Sequence, residues 1–500
     1  MAENKIILGP MAGGVDTKKA KIWFYGMKGA DLEEILCRLY YKANNEPASA
    51  QPFKFLPLSD IPYEYKGKSY LPYLTTIDFP DPGKEYIYRI EYRIGDSAWL
   101  SSELYPVAPF PDMGNTGDID FSFGLISCHK AFQSNPAHDS RLRMWEDLGK
   151  RLTEFEGKFL LQVGDQVYCD APDCNAWEKC HTTTSHPERL KYFRDVYFDS
   201  WGYKEVQAVT SQFPQFMIWD DHEVTDGWGA NDFHFTPESQ SIFAVAKMAY
   251  IEFQDAHNPD PFIRGEFYYA FHYGNAAFFV LDARGHRNVT TDTLLGDTQW
   301  EQFEKWIQSP AIQAAKVLFI ISSVPVFHLS RDFWSLGKIV NDAADQWSFK
   351  GRDKTKGNNI ERRRLLKNLF QWSGDANKPV YILGGDVHVG TEVCMVHTTR
   401  KQVIQQITSS PITNKVSAAL DLFFAFVTKN IDGVTDWDGQ DNIRAKIVRR
   451  HRKKNFAIIS VKYEKGRAKV LLNMYRNKET KPKTKDRDLE VMGKELFLKE

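Results

Sequence analysis

The sequence predicts an α/β fold preceded by a small all-β unit, and three observations carry that reading. Short apolar runs such as Phe159–Val163 end abruptly at Gly-Asp pairs, as strands buried on both faces do. From Phe121 onward, strand-like runs alternate with helical ones, the grammar of a sheet covered by helices. Before about residue 110, the patterning is strand-like and punctuated by turn residues.

In the first segment, Lys19–Gly26, Glu33–Lys42, Tyr70–Phe79 and Lys84–Ile94 read as strands. The last is the clearest. Tyr86, Tyr88, Ile90, Tyr92 and Ile94 share one face, and Arg89, Glu91 and Arg93 the other, which is the period of a half-buried antiparallel strand. Turn signals such as Asp81-Pro82-Gly83 separate these runs. They suggest an immunoglobulin- or fibronectin-like sandwich over residues 1–112. Pro106–Gly117 reads as a linker, and a second domain is expected over 118–480.

Within that domain, Trp145, Leu148, Leu152 and Phe155 fall on one helical face ahead of the Phe159 run, giving a β-α-β unit. Helical patterns follow at about 188–201 and 237–256. Phe267–Phe271 and Ala276–Leu281 read as a hairpin around Gly274-Asn275. Thr298 and Glu301 have capping-box spacing before a helix burying Trp300, Phe303 and Ile307. Val317–Val324 and Gln402–Thr408 are further strands. Phe456–Tyr463 and Lys469–Tyr475 make a closing hairpin, and Lys478–Asp488 reads as loose.

A net charge of −1 over 500 residues argues against bulk electrostatic binding to nucleic acid or membrane. No nucleic-acid-binding motif is evident, and the basic run Arg449–Lys454 reads as a solvated face. Six cysteines form no disulfide framework. Val317–Phe327, the longest apolar run, is too short to span a bilayer. With no secretory leader or twin-arginine pair near Met1, the expected location is cytoplasmic. Nothing in the sequence specifies an oligomeric state.

The chemistry gathers at strand ends. The Phe159 run leads to Asp165 and Tyr168. Pro214–Trp219 leads to Asp220, Asp221, His222 and Glu223, and Val380–Gly385 leads to Asp386 and His388. Phe121–Ser127 leads to Cys128 and His129. Ligands in open α/β sheets bind beyond the carboxyl ends of the strands. Carboxylates and imidazoles suit hard or borderline metal ions. A metal pair sharing a carboxylate can clamp a phosphoryl group and generate a hydroxide nucleophile. Asp165 is the natural bridge. His222, next to a ligand candidate, can serve as general acid. Arg284 or Arg287 could hold non-reacting phosphate oxygens.

The ordered set Ser127-Cys128, Gly164-Asp165-Gln166-Val167-Tyr168, Asp220-Asp221-His222-Glu223 and Gly385-Asp386-Val387-His388 resembles the PhoD-like alkaline phosphatase family of the calcineurin-like metallophosphoesterase superfamily. Leu281-Asp282-Ala283-Arg284, Leu295–Trp300 and Thr408–Pro411 add to the likeness, which covers roughly residues 120–475. The resemblance implies a two-sheet α/β sandwich and a phosphodiesterase or alkaline phosphatase acting on small or polymeric phosphate esters. It implies Fe3+ held by Cys128, Asp165, Tyr168 and His388. A second metal, expected to be Ca2+, would be shared by Asp165, Asp221 and Asp386. Asp221 stands where much of the superfamily has Asn, which leaves that metal's identity open.

Rival readings are a strict phosphomonoesterase, an iron-centred redox protein and a binding module with an inert large domain. The carboxylate-rich second site and the lack of an evident two-His-one-carboxylate set disfavour redox chemistry. Cys169, Cys174, Cys180 and His181 cluster in sequence, but their spacing matches no usual zinc motif.

Overall fold

The computed structural model describes residues 6–327 apart from 29–31, 66, 95–98 and 115–116, then Trp347, residues 359–414 apart from 375–377 and 398, and residues 443–488 apart from 452 and 477–483. The expected domain end at residue 480 lies outside these described residues. The chain folds as a mixed α/β protein with two large sheets and a smaller one.

Three parallel strands set the geometry of the site. Gly157–Val163 lies between Phe121–Ile126 and Gln215–Ile218, with Gly124 opposite Leu160 and Leu161 opposite Phe216. Parallel pairing puts all three carboxyl ends on one edge. The eleven-stranded sheet grows outward through the antiparallel strands Asn455–Glu464, Arg467–Arg476 and Thr484–Asp488. Thr484–Asp488 therefore pairs, against the expectation of a loose tail; residues 478–483 lie outside the described residues.

On the other side the sheet continues into the N-terminal segment through Ile6–Gly13, Lys19–Met27 and Lys68–Asp78. The Ile6–Gly13 strand gave no strand signal in the sequence, because Gly9, Pro10 and Gly13 break its pattern. It pairs parallel with Gln215–Ile218 at Gly13. A Cβ on Gly13 would lie 2.2 Å from the His257 carbonyl oxygen and 2.8 Å from that of Gln215, so only glycine allows this approach. Leu32–Tyr41 and Tyr86–Ile94, with three short strands, form the smaller sheet. One hydrophobic core runs continuously from Ile6 through Phe159 to Met474.

The second large sheet has seven strands in the order Tyr269–Tyr273, Ala276–Leu281, Val317–Ser322, Val380–Gly384, Gln402–Thr408, Gly390–His397 and Ile443–His451. Its central strands are buried on both faces. Phe278 and Val280 face the first sheet, while Ala277, Phe279 and Leu281 face the helices. Rings meet edge to face between the sheets, Phe159 against Phe278 at 5.6 Å and Phe123 against Phe319 at 5.5 Å, the arrangement favoured by the ring quadrupole. Arg143–Glu154 covers the far side of the first sheet through Trp145, Leu148 and Leu152. Asp297–Gln308 and Asn359–Ser373 cover the far side of the second.

The expected Thr298–Glu301 capping box does not form. Gly296 is the N-cap, so Thr298 already lies inside the helix and no side chain caps it. The Glu361 carboxylate instead takes the N–H groups of Leu294 and Leu295 and the indole N–H of Trp300. In the basic run Arg449, Arg450 and Lys454 are partly exposed and Lys453 is exposed, and the exception among the described residues is His451. His451 is buried with Nε2 3.1 Å from Glu392. Among the described residues no helix is long and apolar enough to cross a membrane.

His186–Trp201 and Pro237–Phe253 tie the N-terminal strands to the large sheet. The Tyr25 hydroxyl donates to Glu252, which is also paired with the buried Arg194. Nearby, His257 is fully buried and stacked on Trp23 at 5.7 Å. Neither of its ring nitrogens has a hydrogen-bond partner among the described residues. Burial lowers its pKa to about 3. The unfolded chain therefore binds a proton below about pH 6.5 that the folded chain refuses, and stability falls as the pH drops through that value. From pH 7 to pH 5 this group alone is expected to cost about 2 kcal/mol. Urea titrations at both pH values should show that loss shrink by the same amount in His257→Leu; an unchanged pH dependence would show that the imidazole is not the source.

Candidate metal centre

The strand ends carry unusual backbone. Cys128, Asp165, Asp386 and His388 all have left-handed φ, at 57°, 57°, 64° and 52°. Each such non-glycine residue costs on the order of 1 kcal/mol, and such strain gathers at functional sites. Here the surrounding backbone enforces it. The N–H of Cys128 donates to Gly164, that of His129 to Asp165, and that of Gly385 to Ser323. Gly164 (φ 93°) makes the turn, and a Cβ there would lie 2.6 Å from the Cβ of Asp220. At Gly385 a Cβ would lie 2.4 Å from the Val163 carbonyl oxygen, so the ends of the two large sheets touch at the site.

Cys128, Asp165, Tyr168 and His388 are brought together. The Cys128 thiol lies 3.2 Å from Asp165 Oδ2, the Tyr168 hydroxyl 2.9 Å from the same oxygen, and His388 Nε2 3.0 Å from the Tyr168 hydroxyl. Asn414 Nδ2 lies 3.1 Å from that hydroxyl and 2.9 Å from His388 Nε2. Ser410 donates to the thiol at 3.0 Å. Burial, then the Asp165 carboxylate, push the Cys128 thiol and the Tyr168 hydroxyl well above their ordinary values. Only a cation between them makes thiolate and phenolate the stable forms. Burial lowers His388 to about 3, with the His222 and Lys130 charges adding to it, so its imidazole is neutral and able to ligate. Asp165 Oδ1 is buried with no hydrogen bond among the described residues. A buried carboxylate oxygen without a donor is costly, and a metal ion answers that cost. The donor set therefore fits a metal.

A second set adjoins the first. Ligand atoms of Asp165, Asp221 and His222 lie within 4.8 Å of one another, as do those of Asp220, Asp221 and Asp386. Asp221 Oδ2 accepts the N–H of Gly227. Burial pushes Asp221 up, but the Arg284 and His222 charges outweigh it and hold the carboxyl at about 2.

Arg284 sits elsewhere than at an open phosphate-binding rim. It is fully buried, ion-paired with Asp220, and its Nη2 lies 3.3 Å from Asp221 Oδ1 and 3.5 Å from Asp386 Oδ2. Its guanidinium orders the carboxylates of the chain itself. Arg287 is buried beside it.

His222 Nδ1 lies 2.8 and 3.0 Å from the two oxygens of Asp170, which also accepts the N–H of Asp226. Those contacts engage Nδ1 and orient the ring. Burial pulls the His222 pKa down, but Asp170, then Asp165 and Asp221, hold it well above the ordinary imidazole value.

Asp170, Glu223, Ser410 and Asn414 had no assigned role in the sequence. Glu223 accepts the N–H groups of Asp165, Gln166 and Asp220 at 3.2, 2.8 and 2.8 Å and the Gln254 amide at 3.0 Å. Burial pushes its carboxyl up to about 7, while these donors favour the ionised form. A sequence signal existed, because Asp220-x-x-Glu223 has capping-box spacing and that box forms. His129 turns away from the ligand set, accepting the Trp145 indole N–H and lying within 3.3 Å of Thr413 and Ser200. Cys169, Cys174, Cys180 and His181 form no metal-type cluster among the described residues. Cys169 packs in the core, Cys174 faces Asp199 and Cys180 faces the Arg189 carbonyl.

A sequence model of the PhoD-like phosphatases matches residues 123–456, more than half of the chain and all of the ligand set. The chain belongs to the PhoD-like phosphatase family. These are phosphoric ester hydrolases that depend on metal, and the clustered Asp, His, Cys and Tyr groups accord with that membership. The solved structure of PhoD superposes with a TM-score of 0.63 at 16% identity, covering 98% of this chain and 93% of that one. A purple acid phosphatase, PPD1 from yellow lupin (Lupinus luteus) seeds, superposes with a TM-score of 0.58 at 12% identity, covering 96% and 74%. These likenesses establish a shared fold. The uncharacterized protein YGR266W of Saccharomyces cerevisiae is 25% identical over 136 residues, 21% of this chain and 19% of that protein; the chain thus spans about a fifth of that relative's length.

Proposed function

We propose that this PhoD-like chain hydrolyses phosphate esters, diesters or monoesters, at a two-metal centre. The observation that carries the reading is the convergence of the buried Cys128, Asp165 and Tyr168 with the partly buried His388, where one Asp165 carboxylate oxygen has no hydrogen bond among the described residues. Thiolate, phenolate, carboxylate and imidazole together suit Fe3+. Asp165, Asp221 and Asp386 offer hard oxygens that suit Ca2+. Metals held by these residues would supply Lewis acidity toward phosphoryl oxygens and would acidify an attacking water.

The chain's own residues do the rest. His222, protonated and held through Nδ1 by Asp170, donates from Nε2 to the leaving oxygen. Arg284 offsets the mutual repulsion of Asp220, Asp221 and Asp386. Glu223 fixes the backbone that presents Asp165 and Asp220. All these residues lie within 118–480, and residues 1–112 serve as a β buttress that extends the sheet.

The test is hydrolysis of a chromogenic phosphodiester beside its monoester, with protein purified without chelators, with and without added calcium. Chelator-sensitive release of the chromophore is expected. Cleavage of the monoester alone would narrow the activity to a phosphomonoesterase. No cleavage of either by folded, metal-loaded protein would reject the hydrolase reading.

A further inference from the structure

We infer that Lys130 is a substrate-binding residue whose ammonium holds a phosphoryl oxygen at the mouth of the centre, an inference that rests on the hydrolase reading. The Phe121–Ile126 strand runs out into Cys128-His129-Lys130, and the three residues part company. Cys128 and His129 are buried, whereas Lys130 is partly exposed. Its Nζ lies over the ring of Tyr168, 4.9 Å from the centroid. The His222 ring packs on the same tyrosine at 4.2 Å. One aromatic ring therefore positions the proton donor and a cation beside the hydroxyl that joins the ligand set.

No hydrogen bond or ion pair engages the Lys130 ammonium among the described residues. The nearby arginines differ, since Arg284 is committed to Asp220 and both Arg284 and Arg287 are buried. The Arg141 guanidinium donates to the Lys130 carbonyl at 2.9 Å and so fixes the turn that presents the side chain. The need for such a cation follows from charge. An anionic ester must approach Asp165, Asp170, Asp220, Asp221 and Asp386, and the positive charge of a partly exposed lysine lowers that electrostatic barrier. A flexible, strongly hydrated point charge suits a phosphate that has to enter and leave.

Lys130→Met keeps the apolar stem over Tyr168 and removes the charge. It is expected to raise KM for a nitrophenyl phosphate ester about tenfold, with kcat changed less than about threefold. Binding of inorganic phosphate, measured by calorimetry without turnover, should weaken by the same factor. Lys130→Arg should restore most of both, and metal content per chain should stay at the wild-type level. Unchanged KM and phosphate affinity in Lys130→Met would overturn the inference. So would a fall in kcat accompanied by metal loss, which would make Lys130 a support for Tyr168 instead. If the wild type cleaves no ester, the hydrolase reading fails by itself, and the phosphate titration still decides whether Lys130 binds the anion.

Discussion

Asp165→Asn is expected to empty the centre of metal and to lower kcat by about 10³-fold or more, since the several kcal/mol of charge stabilisation a metal supplies correspond to such a factor. Asp165 belongs to two of the three groups of convergent ligand atoms. Its Oδ2 meets the Cys128 thiol and the Tyr168 hydroxyl, and its Oδ1 has no hydrogen bond among the described residues. An amide removes the negative charge and places N–H donors where a cation would sit. The metal-free fold should not suffer. Burial, with Asp221, Asp220 and Glu223 nearby, already pushes the Asp165 carboxyl well above its ordinary value, with His222 opposing, so a neutral isostere relieves repulsion. Bound metal stabilises only the folded state. A chelator should therefore lower the Tm of the wild type and leave that of Asp165→Asn unmoved. Metal analysis and melting curves read both effects. A variant that keeps its metal and its turnover would remove Asp165 from the centre.

The part of this centre that was legible in the sequence is the part written in local patterns. Phe159–Val163, Gln215–Ile218 and Val380–Gly384 are apolar runs that end where polar ligand-type residues begin. Parallel pairing aligns the ends that carry Asp165 and Asp221, whereas Asp386 and His388 show the same strand-end pattern in the second sheet and join them because the ends of the two sheets meet there. What stayed hidden depends on contacts between distant segments. Asn414 reaches Tyr168 across 246 residues, and nothing local marks it. Arg284 belongs to a motif that suggests anion binding, yet three carboxylates surround it in the fold. Ile6–Gly13 carries two glycines and a proline, which obscure a strand that only its neighbour's register specifies. Thr298 has the right spacing for a cap but the wrong phase, because the turn at Gly296 starts the helix two residues earlier.

Removing the imidazole in His222→Ala is expected to leave metal content intact and lower kcat by about 10²- to 10⁴-fold, the usual contribution of a positioned general acid. The size should depend on the leaving group. An alkoxide must be protonated as it departs, so alkyl phosphates should show the full loss, whereas nitrophenolate leaves readily and should show much less. Asp170→Asn separates orientation from the proton itself. The amide still occupies the Nδ1 side of the ring, but the carboxylate charge that most strongly raises the His222 pKa is gone. The sign follows directly. In the wild type the raised pKa keeps His222 protonated through neutral pH, and the limb of kcat that needs the proton falls as pH rises through that value. In Asp170→Asn the imidazole releases its proton at lower pH, so the same limb should move toward acid, again most visibly with an alkyl phosphate. Profiles of kcat against pH for the wild type and both variants, on one alkyl and one nitrophenyl ester, decide the matter. An alkaline limb that stays in place in Asp170→Asn would detach Asp170 from the proton donor. Full turnover of the alkyl ester by His222→Ala would assign the proton to another group.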